Sequence, residues 1–166
     1  MAEVILLCGK VAAGKSTYAN RLAQQKRALI LSVDDLVVRM RTKCEGPAAL
    51  QQLEAQIRDY FLTLLQPLLQ ADVTVIIDHG HWVRSSRKQV ISYCRENHLP
   101  LRLICVECEK EIRRQRLRKR NEQVLARKSC AYVISEDKLD RFDSWFEDFD
   151  EEEQVLLEQI ESGALE

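Results

Sequence analysis

The run Gly9-Lys10-Val11-Ala12-Ala13-Gly14-Lys15-Ser16-Thr17 has the spacing G-x-x-x-x-G-K-[ST], and each of its parts has a phosphate chemistry. Backbone N–H groups of such a turn converge on phosphate oxygens, and a helix opening behind it adds its positive dipole end. Lys15 would reach the β- and γ-phosphates, and the Ser16 hydroxyl would offer itself to Mg²⁺. The apolar run Val4-Ile5-Leu6-Leu7-Cys8 precedes the turn, and a helical pattern from Lys15 to about Gln25 follows it. An ordinary strand-turn-helix connection could match by chance, but this flanking pattern favours a nucleoside triphosphate site.

Carboxylates close two further apolar runs. Val73 to Ile77 ends at Asp78, where an acid could anchor the Mg²⁺ of a bound triphosphate or merely cap the loop. Ala28 to Leu31 leads to Ser32-Val33-Asp34-Asp35. One of these two aspartates could take the proton of an acceptor hydroxyl, while the other caps a helix beginning at Leu36. Phosphoryl transfer also needs cations over the moving group. Residues 113 to 120 read Arg-Arg-Gln-Arg-Leu-Arg-Lys-Arg, and Arg113, Arg116 and Arg120 fall on successive turns of one helical face. That segment reads as a phosphate-side lid, although for any single arginine a solvated basic face is the simpler reading. The aromatics of a single-strand stacking platform are missing from the run, so a nucleic-acid groove is not favoured.

Other groups nearby carry weaker signals. His79 and His81 could join Asp78 at a metal, but no distant ligand of matching context completes the set. Trp82 reads as a hydrophobic anchor or pocket wall. Arg84 and Arg87 could meet an anionic acceptor, or be surface charge. Cys8, Cys44, Cys94, Cys105, Cys108 and Cys130 suit reduced thiols, and one C-x-x-C without a second pair does not make a zinc site.

The elements that must position these groups follow from periodicity. Strands are expected at residues 4–8, 28–31, 73–77 and 101–106, with helices between them. The first two strands, joined through a helix, imply a parallel pair with a right-handed crossover. Leu50, Leu53, Ile57, Phe61, Leu64, Leu65 and Leu68 form the stripe of a long packing helix, preceded by a loop over 42–47 and broken near Pro67. Ser85 or Ser86 can cap a helix to about Asn97, and a basic helix runs from Glu109 to about Arg127. Ser135 resembles the cap of a helix burying Leu139, Phe142, Trp145 and Phe146, and Val155, Leu156 and Ile160 suggest a short terminal helix after Glu151. The expected fold is α/β, a doubly wound parallel sheet of about four strands flanked by helices. A chain of 166 residues suits one domain over 1–166 with a helical C-terminal segment at about 135–162. The formal net charge of −1 gives no global pull toward nucleic acid, although acidic residues crowd Glu147 to Glu153. No apolar run has the length of a membrane span and no signal-peptide pattern opens the chain, so a cytoplasmic protein is expected.

Together, Gly9 to Thr17, Ser32-Val33-Asp34-Asp35, the Ile-Ile-Asp78 strand end with Arg87 beyond it, and Arg116 to Arg120 resemble the polynucleotide-kinase-like branch of P-loop kinases. The branch is similar to zeta-toxin and chloramphenicol-phosphotransferase families. Asp78-His-Gly-His-Trp and the Phe146-Glu147 region resemble one of its subgroups of uncharacterised small ATP-binding proteins. The resemblance implies that Asp34 is the base toward the acceptor hydroxyl, and that Arg116 and Arg120 are lid arginines on the triphosphate. Val37 stands where polynucleotide kinases carry an arginine for the acceptor phosphate, and Lys10-Val11 replaces a common proline. The expected function is ATP- and Mg²⁺-dependent phosphotransfer to a hydroxyl of a small molecule or nucleotide. The alternatives are an NTPase or regulatory ATP-binding module without an acceptor, and a polynucleotide 5′-hydroxyl kinase. No base-reading motif separates ATP from GTP, and oligomeric state is not legible.

Overall fold

The computed structural model describes residues 1–40, 46–126 and 133–165. Strands β1 (Val4–Cys8), β2 (Ala28–Ser32), β3 (Thr74–Asp78), β4 (Leu101–Glu107) and β5 (Leu157–Glu161) form one sheet of order β2-β3-β1-β4-β5. Every pairing in it is parallel. Helices cover both faces because alternate residues of a strand point opposite ways. Val4, Leu6 and Cys8 pack with Ile57, Phe61 and Leu65 of α3 (Pro47–Gln70) and with Val90 and Ile91 of α4 (Arg84–Glu96). On the other face, Ile5 and Leu7 meet Ala19 and Leu22 of α1 (Lys15–Gln25). All five residues of β1 are 0% exposed, and each large side chain so buried contributes about 1.5–3 kcal/mol. The α/β doubly wound fold expected from sequence is the fold observed.

The chain leaves β1 toward β2 and later enters β4 on the opposite side of β1. A crevice opens at such a reversal, outside the carboxyl ends of the strands. The Gly9 turn stands there. Asp78 is level with Leu7 of β1 and with Ser32 of β2, so both acidic strand ends share an edge with the turn.

Several local expectations change. β1 and β2 are not neighbours, because β3 inserts between them. A fifth strand exists where a terminal helix was expected: α7 (Glu151–Leu156) stops after a capping box between Asp150 and Glu153, and Leu157–Glu161 extends along β4. Arg102 donates to both Glu158 carboxylate oxygens at 2.7 and 2.6 Å, pinning that edge. Helix α2 (Val33–Met40) begins three residues before Leu36, with the Ser32 hydroxyl accepting from the Asp35 N–H at 3.3 Å. Helix α4 starts at Arg84 with Val83 as its cap, and the Ser86 hydroxyl donates to the Val83 carbonyl instead of capping. Helix α5 (Lys110–Leu125) is close to its expected span, and α6 (Asp137–Asp143) ends before Trp145 and Phe146. Most of the loop expected over 42–47, Cys44, Cys130 and the Arg127 helix end lie outside the described residues.

Arg87 is a correction of larger consequence. It is 0% exposed, as is Glu153, its ion-pair partner at 2.6 Å. Its guanidinium also donates to the carbonyls of His81, Trp82, Glu147 and Asp148 at 3.0–3.2 Å. The Phe149 ring lies 4.7 Å from its centre. With its donors thus engaged, Arg87 clasps α4 to the acidic C-terminal segment and meets no acceptor. Arg84 belongs to the same clasp, donating to the Asp148 carbonyl at 2.9 Å. Arg87→Ala strands a buried carboxylate and four carbonyls, so we expect a loss of about 3–5 kcal/mol in urea unfolding at pH 7. A loss below about 1 kcal/mol, the scale of an exposed pair, would show that the clasp does not hold the segment.

Candidate functional site

The turn after β1 adopts a backbone that its glycines permit. Gly9 has φ 142° and Gly14 has φ 101°, in the region that side chains disfavour. A Cβ on Gly9 would stand 2.4 Å from the Val106 carbonyl oxygen of β4, so no larger residue fits. Lys15 opens α1, and its Nζ donates back to the Gly9 and Lys10 carbonyls at 2.9 and 3.0 Å. No acidic side chain occupies the first turn of α1, which leaves its positive end uncompensated. Trp82 braces the turn from outside, its indole N–H donating to the Gly9 carbonyl at 3.2 Å. Phe142 and Trp145 pack on that ring with centroids 5.4 and 6.2 Å away.

Carboxylates approach from the neighbouring strands. Asp78, 6% exposed, stands beside the Ser16 side chain. Burial raises its carboxyl above the usual aspartate range, while the Ser16 hydroxyl and then Lys15 hold it down. Asp34 lies in the first turn of α2. Burial at the sheet edge raises it, opposed by Lys15 and Arg120. Its side chain is 64% exposed. Burial also lowers the Lys15 ammonium, against the pull of Asp78 and Asp34.

His79 completes this edge, in a role that its sequence context did not suggest. Its Nδ1 accepts from the His81 N–H at 3.4 Å, and its Nε2 stands 3.8 Å from Asp34 Oδ1. In the neutral ring this network assigns the proton to Nε2, on the Asp34 side. Burial, then the charges of Arg58 and Lys15, push His79 down to about 4. His81 is 1% exposed and also lowered by burial, with its Nδ1 3.3 Å from Ser86 Oγ. The unfolded chain binds a proton near pH 6.5 and folded His79 only near 4, so stability falls as pH drops through that window. In His79→Gln that acid-side loss should shrink by about 2 kcal/mol between pH 7 and 4.5, read by urea unfolding. Equal losses in variant and parent would mean that His79 titrates normally. Among the described residues no three His, Cys, Asp or Glu side chains are grouped to hold a metal unaided, so Asp78, His79 and His81 do not form a self-sufficient metal centre.

The arginines of α5 divide by partner. Arg113, 3% exposed, bonds both Asp143 oxygens at 2.8 and 2.7 Å and reaches the Val11 carbonyl at 3.4 Å. It fastens the turn to α6. Arg116 donates to Ser162 Oγ at 2.8 Å, to the Ser162 carbonyl at 3.2 Å and to the Ala13 carbonyl at 3.4 Å. Its Nη1 lies 3.3 Å from where a Gly14 Cβ would sit. Arg120 differs: its Nε and Nη2 are buried without a hydrogen-bond partner, and its charge acts on Asp34. Arg114 and Arg118 turn outward to Glu111 and Glu136. The helical spacing of Arg113, Arg116 and Arg120 thus does turn one face toward the loop. The structure brings Lys15, Ser16, Asp34, Asp78, Arg116 and Arg120 to one edge of the sheet; His79 joins them beside Asp34 rather than as the metal ligand its sequence context offers, and Ser162, which Arg116 engages, carries no sequence signal. A cleft of about 720 Å³ runs beside the turn, lined by Lys10, Cys108, Lys110, Arg113, Phe146 and Glu161 among others. Cys8, Cys94, Cys105 and Cys108 are free thiols. Among the described residues no helix is long and apolar enough to cross a membrane.

Comparison with known proteins agrees with this architecture. No curated protein matches the sequence. A putative kinase from Chloroflexus aurantiacus J-10-fl superposes with a TM-score of 0.74 and 16% identity over 97% of this chain and 88% of that one. Kti12 of Chaetomium thermophilum, solved with ADP-AlF3, gives a TM-score of 0.65 at 18% identity, covering 95% and 88% of the two chains. A gluconokinase from Sinorhizobium meliloti 1021 gives 0.61 at 14% identity, covering 96% and 82%. Identities this low establish shared fold and nothing finer. The AAA_33 family model, described as an AAA domain, matches residues 4–149. That span runs from β1 through the loop, both acidic strand ends and the arginine helix, and by it the chain belongs to the AAA_33 family of P-loop AAA domains.

Proposed function

We propose that the protein is an ATP- and Mg²⁺-dependent phosphotransferase that moves the γ-phosphate to a hydroxyl of a small molecule or nucleotide. The observation that carries this reading is the placement of an acid, Asp34, within the field of both Lys15 and Arg120, beside a separate hydroxyl–carboxylate pair, Ser16 and Asp78. A site that only binds nucleotide needs the second pair alone, whereas an acid at the γ-phosphate serves a step in which an attacking hydroxyl gives up its proton.

The loop amides from Gly9 to Thr17 and the Lys15 ammonium hold the β- and γ-phosphates. Ser16 and Asp78 supply the hard oxygen donors that suit Mg²⁺ and would hold it. When bound there, the ion neutralises charge between the β- and γ-phosphates. Asp34 accepts the acceptor's proton as its oxygen bonds to the γ-phosphorus. The bond from that phosphorus to the bridging oxygen breaks, and ADP leaves. Arg120, which has unengaged donors, and Arg116, beside Gly14, offset charge on the transferred group. The kinase and gluconokinase among the structural neighbours support this reading, as does the resemblance to the polynucleotide-kinase-like and zeta-toxin-like branch. Its test is incubation with γ-labelled ATP and a panel of metabolites, nucleotides and 5′-hydroxyl oligonucleotides. A labelled acceptor is the expected product; label released only as inorganic phosphate would make the protein an NTPase.

A further inference from the structure

We propose that His79 positions the base: its Nε2–H holds one carboxylate oxygen of Asp34 and leaves the other facing the acceptor hydroxyl. The inference rests on the phosphotransfer reading and adds a positioning residue to the same site. Asp34 needs one. Its side chain is 64% exposed in the first turn of α2, and among the described residues no other side chain lies at hydrogen-bond or ion-pair distance from it. A carboxylate so placed has several rotamers open to it, whereas a base must present its lone pair along one direction. In the structure His79 Nε2 stands 3.8 Å from Asp34 Oδ1, reaching across from the end of β3 to the start of α2. Catalytic hydrogen bonds are often this long before substrate binds and tighten in the complex.

What fixes His79 is the strained residue behind it. His81 has φ 46°, left-handed backbone that is costly for a residue with a side chain and persists only where its surroundings impose it. Here they do. The His81 carbonyl accepts from Arg87 Nη1 at 3.1 Å, its Nδ1 lies 3.3 Å from Ser86 Oγ, and the residue is 1% exposed. Held that way, His81 turns its N–H toward His79 Nδ1 at 3.4 Å. The two rings meet edge to face, with centroids 4.9 Å apart and planes at 83°. His79 Nδ1 is thereby the acceptor and Nε2 the donor, and the donor is the nitrogen on the Asp34 side. A line of contacts therefore runs from the buried Arg87–Glu153 pair through His81 and His79 to the base. Packing alone does not call for left-handed backbone whose N–H is aimed at a ring nitrogen.

Two substitutions separate positioning from packing. Glutamine can place an amide N–H near the Nε2–H, whereas alanine has nothing to donate. With the acceptor that the labelled-ATP panel identifies, His79→Ala should lower kcat about tenfold or more at an unchanged KM for ATP, and His79→Gln should recover most of that loss. In the Asp34→Asn background, where no base remains to be positioned, His79→Ala should cause no further loss. Melting curves check that each variant is folded. His79→Ala as fast as the parent, His79→Gln as slow as His79→Ala, or the same fractional loss in both backgrounds overturns the proposal. Asp34→Asn as fast as the parent overturns it together with the base. A second readout does not depend on turnover. In protein carrying isotope-labelled histidine, saturated with Mg²⁺ and a non-hydrolysable ATP analogue at neutral pH, ring-nitrogen NMR should show His79 protonated on Nε2. That signal should shift in Asp34→Ala while the backbone spectrum reports an intact fold. An unprotonated Nε2, or a signal indifferent to Asp34→Ala, overturns the proposal. If no acceptor is phosphorylated, phosphotransfer fails alone, and the spectra still decide whether His79 donates to Asp34.

Discussion

Lys15→Ala should weaken binding of Mg-ATP at least about 100-fold, equivalent to about 2.7 kcal/mol, and remove measurable turnover. The ammonium is held over the mouth of the turn by the Gly9 and Lys10 carbonyls at 2.9 and 3.0 Å. Bound to a triphosphate it would exchange those neutral acceptors for charged oxygens, and hydrogen bonds to charged groups contribute about 1.5–3 kcal/mol each. Alanine loses that gain and also the two bonds that hold the turn closed around its own lysine. The fold should survive, because the β1 core beneath is packed on both faces without Lys15. Calorimetric titration with the non-hydrolysable analogue, alongside a melting curve, separates the two effects. Parent-like affinity in a folded variant would place the triphosphate away from this loop.

What was legible in the sequence was local, and what was not depended on partners distant along the chain. The loop, β1 and β3 could be read because their signals are contiguous: a fixed glycine and lysine spacing, and apolar runs that suit strands covered on both faces. Asp78 came with them as the last residue of its strand. By contrast, Leu156, Leu157 and Ile160 fit a helical stripe as well as a strand, and only pairing of Leu103 with Leu157 and Val106 with Ile160 decides the matter. The place of β3 between β1 and β2 is likewise a fact of topology, since order along the chain does not say which strand fills a gap. Arg87 and Glu153 are 66 residues apart, and Glu153 belongs to an acidic run that by composition reads as solvated. Charge pattern alone therefore hid the most buried ion pair among the described residues. In sequence His79 adjoins Asp78 and reads as a metal ligand, whereas in space its Nε2 stands 3.8 Å from Asp34 Oδ1.

Asp34→Asn should lower kcat about 100- to 10,000-fold, the usual contribution of a positioned general base, without weakening Mg-ATP. Asparagine keeps the shape of the side chain and removes its capacity to take a proton. It also removes a negative charge from the field of Lys15 and Arg120, where the γ-phosphate would lie, so nucleotide affinity should hold or rise. This opposite movement of kcat and affinity distinguishes a base from a phosphate or metal ligand, whose loss raises the KM for ATP. Asp35 is the internal control. Its backbone N–H is tied to Ser32 Oγ at 3.3 Å; Asp35→Asn should turn over like the parent. The pH profile adds a second readout. Because burial raises Asp34 from 3.8, the acid limb of kcat/KM should fall above that value in the parent and be absent from whatever activity Asp34→Asn retains. A variant as fast as the parent would move the proton acceptor elsewhere.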